Sequence, residues 1–221
     1  MLEITLISAL FLFPIVDLFQ VNKSENKIVE YIKTAVMLWT LTGFLIFCFF
    51  QGALSVKHPF LFPADQWKGC FAIFMFFAFF VYLKYIIVSI NKNKEVKLYI
   101  LKSLENQNES IKGMLPESRK EFILFTLLLS VTAGICEELI FRWYLYSFLE
   151  LQVNWIVGIL GSSFVFGFWH LYLGWKHVIT TAVIGILLCS IYLYFESIFV
   201  VIIIHILMDL YQGIISYYAR L

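Results

Sequence analysis

The amino-acid sequence predicts an all-α protein, a polytopic membrane helix bundle with about seven transmembrane helices. Of its 221 residues, 62% are hydrophobic and only 14% are charged, whereas soluble globular proteins are about 45–50% apolar and about 25% charged. The apolar residues form runs long enough to cross a hydrocarbon core of roughly 30 Å. Because backbone polar groups in lipid must be paired within the segment, runs of this length are expected to be helical.

Seven apolar runs are the expected spans. They lie near residues 2–20, 30–51, 67–90, 121–150, 153–172, 177–195 and 197–217. The last two need a turn between them, since one helix over residues 178–216 would be about 60 Å long, twice the thickness of the core. Phe195-Glu196-Ser197 is the polar break that supplies this turn. An eighth span is expected only if residues 121–150 split at Gly134.

The lysines and arginines predict the orientation, since cytoplasmic loops of membrane proteins carry an excess of both. Residues 91–120 contain seven basic side chains, whereas the opposite side receives only Lys57 and Lys68. Alternation of the spans then places the N-terminus outside and the C-terminus, with Arg220, in the cytoplasm. The expected location is a cell membrane, with the lipid bilayer as the surrounding medium.

The basic segment also divides the chain. Residues 1–120 are expected to form three N-terminal transmembrane helices and a basic cytoplasmic loop, and residues 121–221 a second helix bundle. The first run has Glu3 where a signal peptide carries basic residues, so it is expected to remain as an anchor. The net charge of +1 gives no reason to expect nucleic acid as a partner.

The four cysteines lie in apolar runs without a CxxC spacing, so they are interpreted as small buried hydrophobes rather than disulfide or metal partners. They are Cys48, Cys70, Cys136 and Cys189.

Ionisable residues inside a span are costly and by default mark function. Asp17 and Lys84 are weak cases, because each lies near the expected cytoplasmic end of its helix. The run Glu137-Glu138-Leu139-Ile140-Phe141-Arg142 is a stronger case. Glu138 and Arg142 are four residues apart and share a helix face, which favours an ion pair. Glu137 points about 100° away, so it is expected to be available for chemistry while the pair supports the structure.

Two further groups lie in the C-terminal runs. His170 ends the segment Phe166-Gly167-Phe168-Trp169-His170, and His205 and Asp209 share one face of the last helix. A histidine beside aromatic residues is often only a packed core residue, and an intrahelical pair can simply stabilise itself. Together with Glu137, however, these side chains must find one another or water, because lipid offers no partner.

Three kinds of chemistry fit these residue types. The first is activation of water by a glutamate base, with hydrogen-bond donors for a developing oxyanion. The second is a divalent metal held by histidine and carboxylate ligands, which is weaker because the sequence contains no HExxH motif. The third is proton relay in a transporter, although the ionisable residues occur in one half of the chain rather than in paired repeats.

The three groups resemble the ordered motifs EExxxR, FxxxH and HxxxN/D of the CPBP family, which comprises CAAX proteases and bacteriocin-processing enzymes and is also called Abi. The resemblance covers residues 121–217 and implies an intramembrane glutamic endopeptidase that needs no cofactor or metal. It implies that Glu137 and His170 activate water, that His205 and Asp209 stabilise the oxyanion, and that Glu138 and Arg142 support them.

Two positions depart from the family pattern. Trp143 follows the arginine where glycine is common, and it is expected to narrow the nearby cavity. Asp209 stands where asparagine is common, and an ionised carboxylate cannot donate a hydrogen bond. Asp209 would therefore serve an oxyanion only when protonated, or act by orienting His205.

The predicted function is hydrolysis of a peptide bond in a membrane-associated or lipidated peptide or protein. The substrate class stays open between a prenylated CAAX sequence, a bacteriocin leader and another peptide. The alternatives are a catalytically inactive membrane binding or immunity protein of the same fold and a zinc-dependent membrane protease.

Overall fold

The computed structural model describes residues 2–21, 26–107 and 109–221, and these residues form an all-α protein. Within these ranges lie nine α-helices: α1 (Leu2–Val21), α2 (Lys27–Phe50), α3 (Gln66–Lys92), α4 (Lys94–Glu105), α5 (Glu109–Met114), α6 (Arg119–Gln152), α7 (Trp155–Phe168), α8 (Trp175–Phe195) and α9 (Ile198–Arg220). A short 3₁₀ turn, Leu171–Leu173, lies between α7 and α8.

Five of these helices, α2, α3, α6, α8 and α9, are long and apolar enough to cross a membrane, which indicates a multi-pass membrane protein. Shorter apolar helical stretches, Glu3–Ile15 and Trp155–Phe168, lie in α1 and α7. Each of the seven predicted runs therefore coincides with a helix. The split at Gly134 is wrong, because α6 continues through that residue without a break.

Helix α6 is the centre of the bundle. Of its most apolar stretch, 61% is buried, compared with 11% for the peripheral α3. With 34 residues it is about 51 Å long. Two stretches, Phe125–Leu129 and Leu139–Leu145, are π-helical, and the second begins immediately after Glu138. Single π turns inside α-helices often occur at functional sites.

Glycines allow α9 to approach α6 closely at two levels. A Cβ atom on Gly134 would meet the Ile206 side chain and lie 3.1 Å from the Ile206 backbone nitrogen. A Cβ atom on Gly213 would lie 2.6 Å from the ring of Phe125. Small residues at such contacts let helix backbones approach within a membrane. The close approach brings the glutamates of α6 against the middle of α9.

The helix ends meet in two groups. At one end, which we call the basic end (residues 27, 112–117 and 220), Lys27 Nζ lies 3.0 Å from Glu117 Oε1 and donates to the Leu115 carbonyl at 3.0 Å. Arg220 Nη1 donates to the Pro116 carbonyl at 3.2 Å. These contacts fix the start of α2, the segment before α6 and the end of α9 at one level.

At the other end, which we call the loop end (residues 3, 51–65 and 196–198), Glu3 Oε1 accepts from the backbone and hydroxyl of Ser55 at 2.6 and 2.8 Å. The Ser197 hydroxyl donates to the Leu61 carbonyl at 2.7 Å. The predicted turn between α8 and α9 is confirmed here: Glu196 ends α8 with a left-handed backbone, φ 49°.

The cysteine prediction holds in part. Cys48, Cys136 and Cys189 are buried free thiols, but Cys70 is exposed. The prediction was wrong for Cys70 because little of the α3 surface packs against the rest of the bundle. Lys84, on the same helix, is also exposed, and the side chain of Asp17 lies outside the described residues.

Candidate active site

A buried ion pair lies at the centre of the site. Arg142 Nη1 donates to Glu138 Oε1 at 2.8 Å, one helical turn away on α6. The side chains of Arg142 and Glu138 are 1% and 0% exposed. The pair predicted from the four-residue spacing is therefore confirmed. Its burial requires that both charges stay matched, because removing either one would leave the other without a partner.

His205 joins this pair from α9. Its Nδ1 lies 2.6 Å from the same Glu138 Oε1. A carboxylate can only accept a hydrogen bond, so Nδ1 carries the proton in this contact. The opposite ring nitrogen, Nε2, then faces two other carboxylates, Glu137 Oε2 and Asp209 Oδ2, each at 3.8 Å. Contacts of this length are too long for direct hydrogen bonds.

Exposure rises across the site in one direction. The Glu138 side chain is 0% exposed, His205 8%, Glu137 11% and Asp209 34%. On α9, Asp209 follows His205 toward Arg220, so the exposed side of the cluster faces the basic end. The buried side of the cluster is occupied by the ion pair.

Phe166 connects the three motifs. Its ring centroid lies 4.1 Å from the Arg142 guanidinium carbon, 6.0 Å from the His205 ring and 5.2 Å from the His170 ring. A guanidinium over an aromatic face is an attractive arrangement in a dry environment. The phenylalanine thus separates His170 from the charge pair and sets the distance between them.

His170 lies just beyond the end of α7, where its Nδ1 is 2.9 Å from the Phe166 carbonyl. If Nδ1 carries the proton, this bond leaves Nε2 of the neutral ring as an acceptor. Among the described residues, Glu137 has its ion-pair contact with His205 and none with His170. Of the six predicted residues, five therefore form one contact network, and His170 joins it through Phe166.

Three features of the site were not predicted. Gly134 was considered only as the point at which residues 121–150 would split, whereas in the structure it lies at a close contact with Ile206 of α9. The bond from His205 to Glu138 was missed, since only Asp209 shares its helix face. The position of Phe166 between Arg142, His205 and His170 was also not predicted. The spacing of residues within one motif predicts contacts along one helix, but it does not predict contacts between different helices.

Trp143 is buried and points toward the loop end. Its indole nitrogen donates to the Lys57 carbonyl at 2.7 Å, and its ring lies 5.0 Å from that of Phe49. The tryptophan that departs from the family pattern therefore fixes the segment between α2 and α3 against α6.

The comparisons with known proteins identify one family. Residues 119–211 match the family model described as Type II CAAX prenyl endopeptidase Rce1-like. No curated protein and no solved structure matches the chain. The resemblance indicated by the three motifs is confirmed for this segment, which begins with α6 and ends within α9. It contains all six predicted site residues.

Proposed function

We propose, from the Rce1-like segment and the site within it, that the protein is an intramembrane glutamic endopeptidase. It hydrolyses a peptide bond in a membrane-associated or lipidated peptide. The observation that carries this proposal is the buried cluster of Glu137, Glu138 and His205. Three ionisable side chains from two helices meet inside an apolar bundle, and a purely structural role would be met by the Glu138–Arg142 pair alone.

Glu137 is the proposed base. It lies beside the ion pair but takes no part in it, and its 3.8 Å contact with His205 is too long for a direct hydrogen bond, so its carboxylate is available to a water molecule. In the proposed reaction, Glu137 removes a proton from water as the water oxygen bonds to the peptide carbonyl. The proton then passes to the leaving amine as the C–N bond breaks. His170, with Nε2 as an acceptor, assists in orienting this water.

His205 is the proposed oxyanion partner. Its Nδ1 donates to Glu138, so Nε2, on the opposite side of the ring, faces Glu137. When Nε2 is protonated, it donates to the charge that develops on the carbonyl oxygen. Asp209, at 3.8 Å from Nε2, favours that protonated form and orients the ring, which is the second of the two roles open to an aspartate here.

A metal-free mechanism is favoured by the arrangement of the polar side chains. A catalytic zinc needs three protein ligands directed at a common point, and among the described residues no three His, Cys, Asp or Glu side chains are placed in that way. The test is metal analysis of active protein together with activity after treatment with a strong chelator.

The proposed topology has seven crossings, with the loop end outside and the basic end in the cytoplasm. The two groups of helix ends support alternation: α1, α2, α3, α6, α8 and α9 each connect one end to the other, and α7 does so together with the 3₁₀ turn that follows it. The seven basic residues in residues 91–120 favour the cytoplasm for the basic end. Residues 1–120 form the N-terminal part and residues 121–221 the catalytic bundle in this proposal.

Access to the site is proposed from the basic end. Helix α7 has 14 residues and is about 21 Å long, shorter than the roughly 30 Å core. Because α7 starts near the loop end, it stops inside the membrane, and His170 lies below the surface on the cytoplasmic side. The rising exposure toward Asp209 supports the same direction. In this proposal, a peptide anchored at the cytoplasmic surface approaches the cluster from the side of Asp209.

The test uses purified protein in liposomes with quenched fluorescent peptides, each prepared with and without a lipidated cysteine. We expect the wild-type protein to cleave one class, and Glu137→Gln to lower the rate by at least about 100-fold with unchanged abundance. Glu150→Gln is the matched control, because Glu150 lies on α6 and accepts only from Tyr146 in the described contacts. A Glu137→Gln protein as active as wild type would refute glutamate catalysis.

A further inference from the structure

Helix α1 contains a proline whose effect reaches the site. Pro14 lies inside α1 and has no backbone N–H, so the carbonyl of Leu10, four residues earlier, lacks its helical donor. Leu10 is 2% exposed. A buried carbonyl without a donor is costly, and in lipid the missing bond must come from another part of the protein.

Trp169 supplies that bond. Its indole nitrogen donates to the Leu10 carbonyl at 2.8 Å. The indole ring lies between two other rings, with centroid distances of 4.5 Å to Phe13 on α1 and 4.9 Å to Phe141 on α6. Trp169 is 5% exposed. Its side chain therefore links α1 to α6 directly beneath the turn that carries the next residue, His170.

The hydrogen bonds at His170 are local. It lies between the end of α7 and the 3₁₀ turn, where its N–H donates to the Gly167 carbonyl and its carbonyl accepts from the Leu173 N–H, both at 3.0 Å. Its ring contacts those of Phe166 and Tyr172, which are also near in sequence. Contacts with other helices must therefore set the position of the imidazole, and the adjacent Trp169 makes two of them.

We infer that α1 is a positioning element of the site, acting on His170 through the Leu10–Trp169 hydrogen bond. The helix lies outside the family-matched segment, residues 119–211. Pro14 and Trp169, 155 residues apart, have complementary roles. Pro14 leaves the Leu10 carbonyl without its helical donor, and the Trp169 indole supplies a donor in its place. The expected effect on kcat rests on the proposed function, whereas the expected effect on the position of the His170 ring does not.

The experiment has a spectroscopic part that needs no substrate. The protein has four histidines, so ¹⁵N-histidine labelling gives four imidazole spectra, and His170→Gln identifies the one of interest. We expect Trp169→Phe, which keeps an aromatic ring but removes the donor, to shift or broaden the His170 signals and leave those of His205 unchanged. Trp143→Phe is the matched control, since Trp143 is also buried and donates to a backbone carbonyl.

The kinetic part uses the cleavage assay. We expect Trp169→Phe to lower kcat about 3- to 10-fold with little change in KM, as the loss of one positioning hydrogen bond predicts. Pro14→Ala restores the helical donor to Leu10, so it should change the His170 spectrum in the same direction. The double variant should be no worse than Trp169→Phe alone.

The outcomes separate the two proposals. A shifted His170 spectrum in a protein that cleaves none of the peptides would support the positioning by α1 and count against the proposed function. An unshifted spectrum and an unchanged kcat in Trp169→Phe, with an active wild type, would overturn the inference and leave the proposed function intact. The same spectral change in Trp143→Phe would also overturn it, since the effect would then be general destabilisation.

Discussion

The ion pair between Glu138 and Arg142 makes a quantitative prediction about stability. Arg142→Met keeps an unbranched side chain in the space but removes the charge. It leaves the Glu138 carboxylate fully buried, with His205 as its remaining partner. Removal of one partner from a buried pair costs about 3–5 kcal/mol, and loss of the guanidinium contact with Phe166 adds about 1 kcal/mol. We expect the free energy of unfolding to fall by at least about 3 kcal/mol.

The measurement is reversible unfolding of purified protein in mixed micelles, completed as a double-mutant cycle. Glu138→Gln alone should be similarly costly, because it leaves the arginine unpaired. The double variant, Glu138→Gln with Arg142→Met, should be about 2 kcal/mol more stable than either single variant, because no uncompensated charge remains.

The control is an exposed pair with similar geometry. Glu30 and Lys33 are three residues apart on α2 and lie 3.0 Å from each other, with side chains 33% and 60% exposed. Glu30→Gln should change stability by less than about 1 kcal/mol. If Arg142→Met also costs less than that, or if the effects in the double variant are simply additive, the pair does not stabilise the bundle as argued.

The remaining predictions concern topology, helix packing and metal. Ser103→Cys should be protected from an impermeant thiol reagent added outside, and Ala53→Cys should be labelled; the reverse result would invert the orientation. Gly134→Ala should lower stability by about 1–3 kcal/mol and reduce cleavage, because its Cβ atom meets α9, whereas Gly43→Ala, in open space, should be neutral or stabilising. Active protein should contain no stoichiometric metal and survive chelation; one zinc lost and regained together with activity would refute the metal-free mechanism.

The sequence predicted the helices well because lipid imposes a simple rule on composition. Any run of about 20 apolar residues must be helical, and each predicted run coincides with a helix. The turn at Glu196 was also predictable, since it interrupts an apolar stretch that is too long for one span. The Glu138–Arg142 pair followed from spacing on one helix.

The packing of the helices against one another could not be predicted from composition and periodicity. Nothing in the sequence around Gly134 distinguishes a break between two spans from a close helix contact, and the structure shows that Gly134 lies in close contact with Ile206 of α9. The bond from Trp169 to Leu10 joins residues 159 positions apart. Such contacts depend on the order in which helices pack, and composition and periodicity carry no information about that order.

The structure also changes the expected roles of the two glutamates. The sequence suggested that Glu138 would support the fold with Arg142 and that Glu137 alone would take part in chemistry. In the structure, one oxygen of Glu138 accepts from both Arg142 and His205. The ion pair thereby determines which nitrogen of His205 faces Glu137, because Nδ1 is occupied. Glu138→Gln should consequently impair catalysis beyond its effect on abundance: without the carboxylate charge, His205 stays neutral, and a neutral ring that donates from Nδ1 to the amide oxygen has no proton on Nε2 for the oxyanion. The carboxylate that pairs with Arg142 inside the bundle is therefore also the carboxylate that orients His205.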